Sequence, residues 1–422
     1  MKIIVVGLGY VGLPLAVQLA RHFDCIGLDS NSGRIAELRD GHDRTGEVDA
    51  AALAASTLAL TSDAQECRGA DLYIVTVPTP IDADNRPDLS PVRSATRTVA
   101  ALLDPAKTPT IVYESTVYPG VTEDICGPMI EELSGLKRGT DFFLGYSPER
   151  INPGDREHTV DKIMKVLAGE NEEITELLAT VYGKVTSGGV FRAKSIRAAE
   201  AAKVIENAQR DINIAFMNEV TKIFSALDIS VWDVLDAART KWNFLGFEPG
   251  LVGGHCIGVD PYYLSHRAQE LGINPQVVLA GRAINDGMAQ WMADEIHAAL
   301  GREGADILIL GLTFKENVPD LRNSKVIDLV RALRAHGHRV AVHDPHADPA
   351  EARHEYDLDL APLPSEAAYD AVVGAVRHDA IKALTAAEIA AMLRPGGLVA
   401  DLKRMWSPPS DDSASAVRYW SI

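Results

Sequence analysis

Lys2-Ile3-Ile4-Val5-Val6-Gly7-Leu8-Gly9-Tyr10-Val11-Gly12 is the stretch whose reading decides the fold. Its β-branched run is short, as a strand is, and leads straight into a glycine loop rather than a small-residue cleavage site, so it reads as a strand and not a secretion signal. The glycines have the spacing Gly-x-Gly-x-x-Gly. One serves a tight turn, one lets the backbone approach a pyrophosphate and one lets a helix pack close; the N-terminus of that helix would face the phosphates. A second strand, Cys25 to Asp29, ends in an aspartate placed to accept from ribose hydroxyls and to repel a 2′-phosphate. The expected cofactor is therefore NAD rather than NADP.

Outward from this unit, further strands are expected at Leu72 to Thr76, Thr110 to Glu114 and Phe142 to Tyr146, alternating with helical patterns as in a parallel sheet wrapped by helices. From Ser195 to Leu227, Ala198, Ala202, Ile205, Ala208, Ile212, Ala215, Phe216 and Val220 recur at helical spacing. The strand-helix-strand alternation then returns at Ala305 to Leu312, Lys325 to His336 and Arg339 to Asp344, again ending in an aspartate. The expected class is α/β: two Rossmann-like, doubly wound parallel-sheet domains joined by a central helical domain with a long spine helix. Residues 1–190 form the NAD-binding domain in this reading, 191–300 the central helical domain, 301–406 a second Rossmann-like domain and 407–422 a flexible tail, poor in periodicity and rich in Ser, Pro and Asp.

The 422 residues suit two or three domains at about 150 residues each. With 46% hydrophobic and 24% charged residues the composition excludes disorder and collagen. The net charge of −18 opposes nucleic acid and anionic lipid as partners, although a local pocket for one nucleotide remains allowed. No apolar stretch is long enough to span a bilayer. Four scattered cysteines fit neither a disulfide framework nor a zinc site, which points to a reducing, cytoplasmic compartment.

Cys25, Cys67 and Cys126 read as core residues. Cys256 sits in Gly253-Gly254-His255-Cys256-Ile257-Gly258-Val259-Asp260, where glycines strip away bulk and admit a substrate to the sulfur. Lys203 and Asn207, four apart, share one helix face. Ser115-Thr116 and Glu149-Arg150 follow the fourth and fifth expected strands, at the carboxyl end of the sheet where ligands of such folds bind. Lys315 and Arg322 occupy a loop after a strand, where two cations either clamp phosphates or remain surface charge. His336, His338, His343 and His346 read as solvated, and no metal site is expected.

In order along the chain, Gly7-Leu8-Gly9-Tyr10-Val11-Gly12, Val77-Pro78-Thr79-Pro80, Glu114-Ser115-Thr116-Val117, Ser147-Pro148-Glu149-Arg150, the Lys203 and Asn207 helix, the Cys256 loop and Phe314-Lys315 to Arg322 together resemble the UDP-glucose and GDP-mannose dehydrogenase family. The resemblance runs from Lys2 to Arg404. It implies that NAD oxidises a primary alcohol at C6 of a nucleotide-linked sugar twice, to a carboxylate, without release of the aldehyde. Cys256 is then the nucleophile, passing through a thiohemiacetal and a thioester that water hydrolyses. By the same resemblance Lys203 stabilises oxyanions at C6, Asp260 and Thr116 hold the reacting water, Glu149 is the general base of hydrolysis and Asn207 orients the sugar. Gly7, Gly9, Tyr10, Val11, Gly12, Asp29, Arg34, Thr76, Pro78, Ser115, Thr116 and Arg322 are implied to hold the cofactor. Glu149, Arg150, Lys203, Asn207, Arg239, His255, Lys315 and Arg404 are implied to hold the substrate, in a homodimer built on the long helix.

Around the nucleophile the chain has Gly-Gly-His-Cys and Val259-Asp260, where the glucose and mannose branches show Gly-Gly-Ser-Cys and a Lys-Asp pair. Together with Arg239 to Gly250, this looks like the branch acting on UDP-N-acetylhexosamines, which supplies uronic acid precursors for surface polysaccharide. The alternatives are a UDP-glucose 6-dehydrogenase with an unusual loop, and a nucleotide-sugar-binding protein without turnover. Intact Cys256, Lys203, Asn207, Asp260 and Glu149 argue against the last.

Overall fold

The computed structural model describes residues 1–82, 84–150, 159, 161–254, 256–407 and 417–422. They form two compact units, Met1–Glu206 with Tyr262–Asn274, and Asn207–Pro261 with Pro275–Ile422. Both are α/β.

In the first unit the strands are β1 (Lys2–Val6), β2 (Asp24–Leu28), β3 (Ala59–Thr61), β4 (Leu72–Val75), β5 (Thr110–Tyr113), β6 (Phe143–Tyr146), β7 (Lys165–Gly169) and β8 (Val190–Arg192). They lie in the order β3-β2-β1-β4-β5-β6-β7-β8, parallel throughout except for the antiparallel pair β6 and β7. β1 is central, with Ile3 paired to Cys25 on one side and to Leu72 on the other. Its continuous Ile-Ile-Val run is what a strand covered on both faces requires, and Ile3, Ile4 and Val5 are fully buried.

Three expected strands stop one residue short of their expected ends, so Asp29, Thr76 and Glu114 lie just past β2, β4 and β5. The order reverses at β1, with β2 on one side and β4 on the other. The loops after these strands therefore flank the point where an open parallel sheet takes a ligand. β3, β7 and β8 were not anticipated. Two of them are three residues long, and β7 opens on a fully buried lysine that breaks the apolar pattern.

In the second unit β9 (Asp306–Leu310), β10 (Arg339–His343), β11 (Tyr369–Gly374), β12 (Leu393–Asp401) and β13 (Arg418–Ser421) form a parallel sheet in the order β10-β9-β11-β12-β13. Met217, Trp232, Leu235, Met292 and Ile296, from the helical region, share one core with Ile307, Ile309 and Val330. The expected flexible tail needs correcting at its end, because Arg418–Ser421 pairs with Leu398 to Asp401 as a fifth strand. Residues 408–416 of that tail lie outside the described residues.

The long helix runs Ile196–Ala226, close to its expected bounds. Its first turns count with the first unit and the remainder with the second. Among the described residues no helix is long and apolar enough to cross a membrane.

Candidate active site

The nucleotide cradle is built by the turn after β1. Gly7 takes φ +96°, open to glycine, and its N–H donates to Leu28 O at 2.8 Å. At Gly12, the first residue of the helix Gly12–Ala20, a Cβ would stand 1.8 Å from Gly7 O and 2.4 Å from Thr76 Oγ1. Thr76 Oγ1 itself donates to Gly7 O at 2.7 Å. No side chain caps this helix, and a Cβ on Gly9 would meet nothing within 4 Å. Uncapped N–H groups beside open space are what a pyrophosphate needs, so the residues fit NAD. Gly12→Ala should cost about 1–3 kcal/mol by overpacking. Thermal unfolding checks it: the midpoint should fall, and the rise produced by saturating NAD should shrink.

Asp29 Oδ2 accepts from Leu8 N and Oδ1 from Asn31 N, each at 2.9 Å, leaving other lone pairs for a ribose. Arg34 plays a different part from a surface contact. It is buried, donates Nε to Leu8 O at 3.0 Å and pairs with Glu37 at 2.9 Å and Asp43 at 2.5 Å, propping the loop from behind. Tyr10, Val11 and Thr116 are half-buried and Pro78 is exposed. Ser115 Oγ donates to Val77 O at 2.6 Å, joining the loops after β4 and β5.

Glu149 and Arg150 follow β6. Arg150 pairs with Glu206 at 2.7 Å, while Glu149 is buried and reached at 3.3 Å by Lys165 Nζ. Lys203 is buried on the long helix. One turn before it, the carboxylate of Glu200 accepts from Gly120 N at 2.6 Å and Thr122 N at 3.0 Å. Burial pushes the Glu200 carboxyl up to about 7 despite those bonds.

In the second unit Asn207 Nδ2 donates to Asp260 Oδ2 at 2.5 Å. The N–H groups of Val259 and Asp260 donate to Cys256 O at 3.1 and 2.9 Å, so the thiol and the carboxylate belong to one rigid turn. Gly253 and Gly254 are obligatory here. A Cβ on the first would stand 2.5 Å from Asn323 O, and on the second, at φ +80°, 2.7 Å from the Phe314 ring. Asn323 Nδ2 donates to Gly254 O at 2.8 Å, tying the loop down. Cys256 is partly exposed, whereas the other three cysteines are buried. Burial pushes the thiols of Cys67 and Cys126 up to about 11 and that of Cys25 to about 12, so these three stay protonated at neutral pH. His255 lies outside the described residues.

A cavity of about 140 Å³ beside this loop is lined by Gly253, Phe314, Lys315, Lys325, Arg377 and Lys403, among others. The cations suit a diphosphate. Arg377 and Lys403 were not anticipated, and Arg377 donates to the Lys403 carbonyl. Burial, and then Arg377, hold the Lys403 ammonium below its usual range, which a bound phosphate would reverse. Arg239 pairs with Glu248 at 2.9 Å, and Arg404 with Asp236 at 2.7 Å. Arg322 forks onto its neighbour Asp320 at 3.0 and 2.8 Å.

The predicted residues thus fall into two groups. Gly7 to Gly12, Asp29, Arg34, Thr76, Pro78, Ser115, Thr116, Glu149, Arg150 and Lys203 belong to the first unit; Asn207, Arg239, Cys256, Asp260, Lys315, Arg322 and Arg404 belong to the second.

Family models match the chain in three successive stretches: the NAD binding domain of the UDP-glucose/GDP-mannose dehydrogenase family over 1–186, its central domain over 197–287 and its UDP binding domain over 308–408. The chain is 49% identical over 418 residues to UDP-N-acetyl-D-glucosamine 6-dehydrogenase of Pseudomonas aeruginosa, covering 98% of this chain and 99% of that protein. It is 45% identical to the enzyme of the same name from Salmonella typhi, over 95% and 96% of the two chains. The solved structure of a UDP-D-ManNAc dehydrogenase from Pyrococcus horikoshii superposes with a TM-score of 0.88 at 28% identity, over 99% of each chain. A glycine cradle for a dinucleotide, a thiol in a glycine-stripped loop and a cationic cavity thus occur in the order these models prescribe, and the chain is an NAD-dependent dehydrogenase of the UDP-glucose/GDP-mannose dehydrogenase family.

Proposed function

We propose that this chain converts C6 of a UDP-N-acetylhexosamine from primary alcohol to carboxylate, giving the UDP-N-acetylhexosaminuronate for surface polysaccharide synthesis. The observation that carries the reading is Cys256, a partly exposed thiol on the same turn as Asp260, whose carboxylate Asn207 holds. An alcohol dehydrogenase that stopped at the aldehyde would have no use for that thiol. The N-acetyl substrate rests on the two relatives named for it and on the Arg239 to Gly250 and Gly-Gly-His-Cys segments.

NAD, held by the Gly7 to Gly12 turn and Asp29, would supply the hydride acceptor for both oxidations, and the alcohol proton of the first would pass to the water held by Asp260 and Thr116. The Cys256 thiolate adds to the aldehyde carbon, forming the C–S bond, and holds the carbon first as a thiohemiacetal and then as a thioester. Lys203 offers its ammonium to the oxyanion at C6, and Asp260 and Thr116 hold water. Glu149 takes a proton from water, whose oxygen attacks the thioester; the C–S bond breaks and the thiolate leaves, regenerating Cys256. Lys315, Arg377 and Lys403 receive the diphosphate, and Arg239 and Arg404 the rest of the substrate. Four scattered free cysteines suit a reducing compartment, and we place the enzyme in the cytoplasm. NADH absorbance on mixing with NAD and a panel of UDP-sugars, with the acid product quantified, tests the whole reading: no NADH from any UDP-N-acetylhexosamine overturns it.

The working form is a homodimer. Ile205, Phe216 and Ile223 are 54%, 55% and 51% exposed, and their spacing puts them on one face of the long helix, with Leu227, 60% exposed, just past its end. Large apolar side chains left in water along one helix face mark an interface. Sedimentation at micromolar concentration should give a dimer, and Phe216→Glu with Ile223→Glu should give a monomer with reduced activity. A fully active wild-type monomer would refute this.

A further inference from the structure

The first unit contains a buried ionic cluster for which the reaction scheme has so far given no role. Lys165, at the start of β7, has no exposed side-chain surface, and its ammonium lies 2.7 Å from Glu114 Oε2 and 3.3 Å from Glu149 Oε2. Tyr182, on the helix Glu172–Val185, donates its hydroxyl to Glu114 Oε1 at 2.5 Å, and its ring lies 5.2 Å from the same ammonium. Glu149 Oε1 accepts the Arg150 N–H at 2.6 Å. Among the described residues nearby, the Arg150 guanidinium is engaged by Glu206, the Ser147 hydroxyl lies beside Tyr182, and the Tyr146 hydroxyl donates to Ser115 O.

Two buried carboxylates therefore share one ammonium, and burial opposes the charged form of each group unless it is paired. The two carboxylates differ in setting. Glu114 is sealed, with no exposed side-chain surface, whereas the Glu149 side chain retains 8%. Burial raises the Glu114 carboxyl above its usual range even with Lys165 beside it. Like groups held in unlike environments divide their roles: the sealed Glu114 anchors the ammonium, and Glu149, which keeps some exposure, works as the base.

We propose that Lys165 and Glu114 are positioning residues that fix the charge and direction of Glu149, keeping it a carboxylate at the pH where the thioester is hydrolysed. This rests on the reading of Glu149 as the base of that step. As Glu149 accepts the proton from water, the ammonium keeps Glu114 as its partner, so protonation of the base does not strand the buried cation.

The test follows acyl-enzyme hydrolysis in the full-length enzyme with NAD and UDP-N-acetylglucosamine, by rapid quench and intact mass, across pH. Lys165→Met should move the acid limb of the hydrolysis rate up by about one unit or more, a loss of about tenfold near neutrality that alkaline buffer restores. Glu114→Gln should move the limb the opposite way, because the ammonium then serves Glu149 alone. Lys165→Arg should stay near wild type, and KM should change by less than about threefold throughout, since a pKa change acts on the chemical step. Opposite shifts from two buried neighbours are not what a structural role produces. If Lys165→Met fails to fold, the near-isosteric Glu114→Gln decides alone. Normal hydrolysis in Glu149→Gln overturns the assignment of the base. Blocked hydrolysis in Glu149→Gln with an unmoved limb in Glu114→Gln overturns the role of Lys165 and Glu114 while leaving that assignment intact.

Discussion

Cys256→Ala is expected to lower uronate formation by roughly 10³-fold or more, since removal of a covalent nucleophile leaves only binding and electrostatic terms. Two NADH should accompany each uronate released by the wild type. In the alanine variant any residual turnover should lose that ratio, because an aldehyde no longer tethered by sulfur is free to leave the enzyme. Cys256→Ser replaces a good leaving group by a poor one and should accumulate an ester, visible as added mass on the protein. The other cysteines provide the control. Burial holds the thiols of Cys67 and Cys126 at about 11, so alanine at either should alter stability far more than stoichiometry. A Cys256→Ala enzyme that makes acid at the normal rate would sink the covalent mechanism.

The second large effect concerns the sugar. A site that merely leaves room for an acetamido group discriminates by about 10 to 200-fold, whereas one whose buried polar groups are built for the amide rejects a sugar lacking it by roughly 10⁴ or more. Arg239 is held by Glu248 at 2.9 Å, with Asp236 at 3.5 Å, and Asn243 follows in the same segment. Both are exposed in the free chain, and we propose that the bound sugar buries them; against UDP-glucose they would then lack an amide partner. We therefore expect kcat/KM for UDP-N-acetylglucosamine or its galacto epimer to exceed that for UDP-glucose by at least about 10³. Steady-state kinetics on the three sugars checks it. Comparable values would return the chain to the glucose-type reading, and a ratio of about 10 to 200 would keep the branch while removing the hydrogen-bonded amide.

The parts of this molecule that could be read from the chain are those where a residue acts through its neighbours in sequence. The glycine turn is one, because φ +96° at Gly7 and the 1.8 Å approach at Gly12 demand glycine whatever the rest of the fold does. The Cys256 loop is another, since its glycines and its aspartate fall within one turn. What could not be read is assembled from distant segments. Glu114, Glu149, Lys165 and Tyr182 meet through β5, β6, β7 and a helix, and a lysine at the head of a strand gives no sign that it will be fully buried. Arg377 and Lys403 reach their cavity from the loops after β11 and β12, with no spacing to link them to Lys315. The histidines illustrate an expectation that failed. His338, read as solvated, is 4% exposed, accepts from Ala305 N at 3.2 Å and lies 3.0 Å from His297, which is 41 residues away in sequence. That Arg34 is buried behind the cradle could not be read either, because its partner Asp43 lies nine residues on in a separate loop.

The closing strand β13 has a practical consequence for handling this protein. Leu398 to Asp401 would be the bare rim of the second sheet if Arg418 to Ser421 did not pair along it, and the Tyr419 hydroxyl donates to both Asp401 Oδ2 and Trp406 O at 3.1 Å. Trimming the last five residues as a supposed appendage would uncover a hydrophobic row of unpaired amides and carbonyls, a template for edge-to-edge aggregation. Purification handles are therefore better carried on the amino-terminal side than after Ile422, which is 6% exposed and part of the core.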